Sequence, residues 1–259
     1  MSVRAVFQSV APQRQGFLAP TALPSGEGLI SAPVYGADMA RSPGFDVAVF
    51  DLDGTLYMTE LSVTPAIKST FAELGLPVPP DRDIDELIGK PTTFYREFLR
   101  ERGGEMAREV ESRVPARELE LVRTQGRLFP HARETLEELR RLGTRTALLT
   151  NAGPDYLGVI MGTFHLGPLF DEISAFRKGE ASKTERLRAV VRRLDVEAGG
   201  AVMVGDRRFD FDAAREAGVP SVGVRHGYGH EELALADTVI DDLWELVGMR
   251  RAALAARGR

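Results

Sequence analysis

Asp51-Leu52-Asp53-Gly54-Thr55 follows four apolar residues, Val47-Ala48-Val49-Phe50, so two carboxylates stand two residues apart at the end of a buried-strand pattern. In open α/β sheets ligands bind beyond the carboxyl ends of the strands, which puts Asp51 where chemistry is done. Asp53-Gly54 is also a turn signal, so a solvated acidic turn is the alternative reading here. The pattern of strand, then polar residue, returns twice. Thr150-Asn151 closes the run from Thr146 and offers a hydroxyl and a backbone N–H to a phosphate oxygen, although Asn is equally a common turn former. Val202-Met203-Val204-Gly205 stops at Asp206, with Asp210 one helical turn further on and Asp212 beside it. Helix capping is a sufficient account of Asp210 and Asp212 but suits Asp206 less well.

Ser182-Lys183-Thr184-Glu185 has the spacing of a capping box, and Leu187, Val190, Val191 and Leu194 then recur at helical intervals. Lys183 therefore falls in a first helical turn, where the helix dipole disfavours a cation by a few tenths of a kcal/mol. A bound anion or nearby carboxylates explain that placement better than helix stability does. Lys178, in the preceding Gly-containing loop, is a second candidate for the same task. If the strand ends are neighbours, Asp51, Asp53, Asp206 and Asp210 converge. Two carboxylates about 4 Å apart repel by roughly 4 kcal/mol at an effective dielectric of 20. One lysine offsets only part of that, and an all-oxygen donor set calls for magnesium rather than zinc. Among the histidines, His226 and His230 are four apart, but Gly227 and Gly229 between them argue for a loop.

The elements that must position these groups follow from the punctuation of the chain. Helical patterns run from about Thr64 to Leu74, Asp81 to Ile88, Thr93 to Arg102 and Glu105 to Gln125, separated by Gly- and Pro-containing breaks and with no strand among them. From Pro130 helices and strands alternate: a helix over His131 to Leu142, a strand over Thr146 to Thr150, a helix after Pro154, and a helix over Ser182 to Leu194. Strands at Ala201 to Gly205, Ser221 to Val224 and Thr238 to Ile240 follow, with a helix over Asp210 to Ala217 and a closing helix from Asp241. This order predicts the α/β class: a Rossmann-like, doubly wound parallel sheet with a small all-helical cap domain inserted after the first strand. The expected division is a core of residues 45–62 plus 130–259 and a cap of residues 63–129, placed to act as a lid.

Composition narrows the function. The 259 residues carry a formal net charge of -5, which argues against a nucleic-acid polymer as partner. The absence of cysteine excludes disulfides and thiolate chemistry and agrees with a cytoplasmic location. No apolar run is long enough for a transmembrane helix, which needs about 20 residues, so no membrane partner is expected. Residues 1–44 are rich in Ala, Pro, Gly and Ser, contain Arg4, Arg14 and Arg41, and have no acidic residue before Glu27. They read as a disordered tail, with a transit segment or a true start at Met39 as alternatives. Nothing in the pattern fixes an oligomeric state.

Taken in order, Asp51-x-Asp53-Gly54-Thr55, Thr150-Asn151, Lys183 and Gly205-Asp206-x-x-x-Asp210 resemble the haloacid dehalogenase superfamily, over residues 45 to about 245. The helical insertion, Ile88-Gly89-Lys90-Pro91 and Phe129-Pro130 are similar to its phosphoglycolate phosphatase and beta-phosphoglucomutase branch. The resemblance implies an enzyme that hydrolyses a small phosphate ester through an aspartyl phosphate on Asp51. It implies Asp53 as acid and base, and Thr150, Asn151, Lys183 and Gly54 around the phosphate. Mg2+ would be held by Asp51, the Asp53 carbonyl and Asp206, with Asp210 in support. Asp53 favours phosphate esters over haloacids. Phosphoglycolate, sugar phosphates and nucleotides remain open as substrates, and a sugar phosphomutase or a phospho-acceptor that does not turn over remains open as an alternative. Arg207-Arg208 contact substrate or face water, and Lys90, Tyr95 and Arg96 read as ordinary helix-surface residues.

Overall fold

The computed structural model describes residues 44–257 apart from 178 and 180, so the calls on residues 1–43 and on Lys178 lie outside the described residues. β1 (Val47–Phe50), β2 (Arg145–Leu149), β3 (Glu172–Ser174), β4 (Ala201–Gly205), β5 (Ser221–Val224) and β6 (Thr238–Ile240) form one parallel sheet in the order β3-β2-β1-β4-β5-β6. The first strand is central, in register with β2 on one side and β4 on the other, with Phe50 opposite Leu148 and Val204. The three polar strand ends are therefore neighbours.

α1 (Glu60–Glu73), α2 (Asp81–Asp85), α3 (Thr92–Gly103) and α4 (Ala107–Thr124) all lie between β1 and β2 in sequence. α5 (Ala132–Arg141), α6 (Pro154–Thr163), α7 (Lys183–Arg193), α8 (Arg208–Ala217) and α9 (Glu245–Arg257) complete the chain. The two-residue period of the strands sorts their side chains to two faces. Ala48 and Phe50 pack with Leu136 and Leu139 of α5, Ile160 of α6 and Leu246 of α9. Val47 and Val49 pack with Leu187 and Val190 of α7 and Ala213 and Ala214 of α8. Burial on both faces is why β1 reads as a continuous apolar run rather than an alternating one. Each such side chain contributes about 1.5–3 kcal/mol on leaving water. The helical insertion has an apolar cluster of its own, built on Ile67 and Phe71 of α1, Ile84 of α2, Leu99 of α3 and Val110 and Val114 of α4.

Several details differ from the sequence expectation: α2 ends at Asp85 rather than Ile88 and α8 begins at Arg208 rather than Asp210, and three others have a clear physical cause. β3 is a sixth strand: Glu172-Ile173-Ser174 lies at the sheet edge with all three residues partly or fully exposed, so no apolar pattern marks it. α1 begins at Glu60 rather than Thr64, leaving Pro65 inside the helix; buried Ser62 and Val63 fix the earlier start despite the bond the proline ring forgoes. α9 begins at Glu245 rather than Asp241. The Asp241 and Asp242 amides donate to the Glu245 side chain at 2.8 and 3.0 Å, and the Trp244 amide donates to Asp242 at 2.7 Å, a turn that competes with helix. No helix of the described residues is long and apolar enough to cross a membrane.

Candidate active site

Asp51 leaves the central strand with its amide donating to Val204 O at 2.8 Å, and its carboxylate meets those of Asp206 and Asp210 beyond the ends of β1 and β4. One oxygen from each of the three lies within 4.8 Å of the others, and all three residues are buried. Lys183 reaches this cluster from the first turn of α7, after the Ser182 capping box, and its Nζ lies 2.6 Å from Asp51 Oδ1 and 2.6 Å from Asp210 Oδ1. Burial alone would pull the ammonium down, but Asp210 and Asp51 outweigh it and hold Lys183 above its ordinary value, in the charged form. Close approach is a matter of missing side chains. A Cβ on Gly205 would stand 2.3 Å from the Asp210 carboxyl carbon, and one on Gly54, at φ +79°, would stand 2.4 Å from Asp206 Oδ2.

One ammonium among three carboxylates leaves the cluster short of positive charge. Burial pushes Asp51 well above the ordinary carboxylate range against the pull of Lys183, and burial with the neighbouring Asp210 pushes Asp206 up to about 8. Asp206 Oδ2 accepts the Tyr228 amide at 2.7 Å, while its buried Oδ1 has no hydrogen-bond partner among the described residues. The other Asp210 oxygen, Oδ2, accepts the Arg207 amide at 3.0 Å, so Asp210 is engaged by Lys183 and its own helix start. An unpartnered oxygen on Asp206, in a cluster with Asp51 and Asp210, fits a hard divalent cation with oxygen ligands.

Asp53 turns the other way. Its Oδ1 accepts Thr59 Oγ1 at 2.7 Å and the Tyr156 hydroxyl at 3.1 Å, leaving Oδ2 without a described partner. Its side chain is outside the three-carboxylate cluster, so any part it takes in metal binding falls to its carbonyl. Burial raises its pKa, with the Thr59 and Tyr156 hydrogen bonds pulling the other way. Asp53 and Tyr156 line a cavity of about 610 Å³ whose opposite wall is α3 and α4, with Tyr95 and Glu118 among its residues.

At the end of β2 the Thr150 hydroxyl accepts the Ala152 amide at 2.9 Å and keeps its own hydrogen to donate. Asn151 is a junction: its Nδ2 donates to Gly89 O at 3.1 Å, its Oδ1 accepts Arg186 at 3.0 Å, and its carbonyl accepts Thr92 Oγ1 at 3.1 Å. The Gly54 amide donates to Tyr57 O at 3.1 Å, and the missing Gly54 side chain makes room for the Asp206 carboxylate. Arg207 is buried and donates to Ile88 O at 2.9 Å and to Glu232 at 3.3 Å, so it grips the helical insertion instead of meeting water, whereas Arg208 is exposed and pairs with Asp212 at 3.1 Å. Lys90, Tyr95 and Arg96 all line the cavity.

Sequence reasoning missed Thr59, Tyr156, Glu118 and Arg186. Arg186 had a readable signal, since it lies three residues after Lys183 on the buried face of α7, where its guanidinium donates to Thr150 O at 2.9 Å and Ser174 O at 3.2 Å. Glu118 had one too: Val110, Val114 and Val122 share its four-residue spacing, and a carboxylate interrupts that apolar stripe. Thr59 and Tyr156 meet Asp53 only through the fold.

A helix-covered parallel sheet with carboxylates at its central strand ends and an inserted helical cap defines a capped α/β class of protein, and solved structures share this fold. A predicted phosphoglycolate phosphatase from Haemophilus somnus matches at a TM-score of 0.73 with 22% identity, covering 80% of this chain and 98% of that one, and shows the fold. The family model for haloacid dehalogenase-like hydrolases matches residues 48–224, and the chain belongs to this family. Among curated proteins, phosphoglycolate phosphatase from Pseudomonas savastanoi pv. phaseolicola is 29% identical over 216 residues, 78% of each chain. CbbY from Rhodobacter sphaeroides, solved in complex with phosphate, is 26% identical with a TM-score of 0.61, covering 78% of this chain and 96% of that one.

Proposed function

We propose that the protein is a magnesium-dependent phosphatase of small phosphate monoesters, with Asp51 as the nucleophile. The observation that carries this reading is the Asp51 carboxylate itself: one oxygen is fixed on Lys183 at 2.6 Å, and the residue shares a buried three-carboxylate cluster with Asp206, whose Oδ1 has no hydrogen-bond partner among the described residues. The likeness to proteins named phosphoglycolate phosphatase and to one solved with phosphate supports the same reaction class.

Asp51 Oδ2 attacks phosphorus as the bond to the leaving oxygen breaks, and Asp53 Oδ2 gives that oxygen its proton, releasing an alcohol. Burial shifts Asp53 toward the protonated form this step needs, while Thr59 and Tyr156 steady the anion that results. Asp53 then takes a proton from water, which attacks phosphorus and frees phosphate and Asp51. The Thr150 hydroxyl, the Asn151 amide and Lys183 hold the phosphoryl oxygens. Magnesium would be held by Asp51, the Asp53 carbonyl and Asp206, and it supplies the positive charge the cluster lacks. The helical insertion, near residues 63–129, serves as the lid that excludes water.

Steady phosphate release from p-nitrophenyl phosphate is the expected outcome, falling to background in Asp51→Asn. Activity that survives this substitution would sink the assignment.

A further inference from the structure

Glu118 sits where its helix asks for an apolar residue. It continues the buried stripe of Val110, Val114 and Val122 on α4, is 7% exposed, and lines the cavity across from Asp53. A carboxylate buried this deeply is destabilising unless its oxygens are matched. Only half of it is: Oε2 accepts the Tyr95 hydroxyl at 2.8 Å, and Oε1 has no hydrogen-bond partner among the described residues. Tyr95 holds one oxygen of the carboxylate, and Glu118 lines the same cavity as Asp53, the space where a leaving group must lie. No cation pairs with it among the described residues. Of the basic residues of this cavity, Lys90 is half-exposed and Arg96 and Arg100 are exposed, with Arg100 held by Glu111 at 2.8 Å. The cavity thus presents the Asp53 and Glu118 carboxyls and the Tyr95 and Tyr156 phenols, while its basic residues are partly or fully exposed.

We propose that Glu118, oriented by Tyr95, reads the leaving group and selects a neutral, hydroxyl-bearing one, as in a sugar or polyol phosphate, over a carboxylate-bearing one such as glycolate. This rests on the phosphatase reading above and adds the substrate class. A hydroxyl donates to Glu118 Oε1 and satisfies it, whereas a carboxylate in the same place has no hydrogen to donate and leaves that acceptor unmatched. A cavity of about 610 Å³ also leaves a two-carbon leaving group with few walls to touch, whereas a five- or six-carbon polyol spans it.

The test compares kcat/KM for ribose 5-phosphate, glucose 6-phosphate and glycerol 3-phosphate with that for phosphoglycolate, in the full chain with magnesium, with p-nitrophenyl phosphate hydrolysis measured alongside. The unmodified protein is expected to favour at least one hydroxylated ester over phosphoglycolate. Glu118→Gln is expected to lower that ratio by about tenfold, mainly through KM, and Tyr95→Phe to lower it in the same direction. Glu120→Gln, on the exposed face of α4, leaves the ratio unchanged. A preference for phosphoglycolate in the unmodified protein overturns the inference, and so does a ratio untouched by both cavity substitutions. Should Glu118→Gln not fold, the unmodified preference and Tyr95→Phe still decide. Absence of Asp51-dependent p-nitrophenyl phosphate hydrolysis overturns the phosphatase reading and the inference with it, a result distinct from the two before.

Discussion

Asp51 and Asp53 are separated by one residue and differ in nearly every respect that governs a carboxylate. Asp51 has an ammonium at 2.6 Å and two carboxylate neighbours; Asp53 has two hydroxyl donors on one oxygen and a cavity at the other. Alternation along an extended segment sends neighbouring odd positions to one side, yet the turn at Gly54 sends these two apart, which gives them separable tasks. Because Tyr156 stabilises the ionised form of Asp53, Tyr156→Phe raises the Asp53 pKa further. The limb of the pH–kcat/KM profile set by Asp53 is expected to move to higher pH, with the Asp51-dependent rate still measurable. Glu118 gives a second pH prediction. Burial, the largest cause, raises it from 4.5 to about 7. The unfolded chain therefore loses this proton first as pH rises, so stability falls between those two values and is level above them. Glu118→Gln removes that loss: urea unfolding should show the variant gaining on the unmodified protein by on the order of 3 kcal/mol between about pH 4 and about pH 8. A constant difference across that range would show that the carboxylate is not buried as described.

At the scale of elements, α7 carries the most of the site on the least sequence. Lys183 and Arg186 are one turn apart: the first enters the carboxylate cluster and the second ties β2 and β3 together at their carboxyl ends. Arg186→Leu leaves the Thr150 and Ser174 carbonyls without that donor and is expected to destabilise by about 2–4 kcal/mol in denaturant titration, with the β2 end displaced. The strands that carry the site were legible from sequence because burial on both faces makes them continuous apolar runs ended by a polar residue. β3 was not, since an edge strand of three residues needs no apolar pattern, and α1 was misread at its start because Pro65 mimics a first-turn residue. Asp51 and Asp206 could be named in advance because each ends a buried apolar run, and Lys183 because it opens a capped helix where a cation is out of place. Thr59 and Tyr156 could not, because they meet Asp53 across 6 and 103 residues of chain by tertiary packing alone.

For the whole molecule, a single buried deficit of positive charge sets the expected response to metal. A cation that binds only the folded chain stabilises it by mass action, so adding magnesium should raise Tm, EDTA should reverse the rise, and Asp206→Asn should abolish it. An unchanged Tm over millimolar magnesium would count against the three-carboxylate cluster as a metal site. The charge balance of -5 places no obstacle in the way of this, since the deficit is local and screened from the surface.

Three of the bonds that clasp the helical insertion fall on a short stretch: Arg207 takes Ile88 O, Asn151 takes Gly89 O, and Thr92 returns a bond to Asn151. Tyr95 and Glu118, which shape the far wall, belong to none of these bonds. Ile88, Gly89 and Thr92 line the cavity and also carry the clasp, whereas Tyr95, Arg96 and Glu118 line it without clasping, so the wall can be changed at these three while the clasp stays as it is. For a laboratory seeking to retarget the enzyme, positions 95, 96 and 118 are open ground, and 88 to 92 should be left alone.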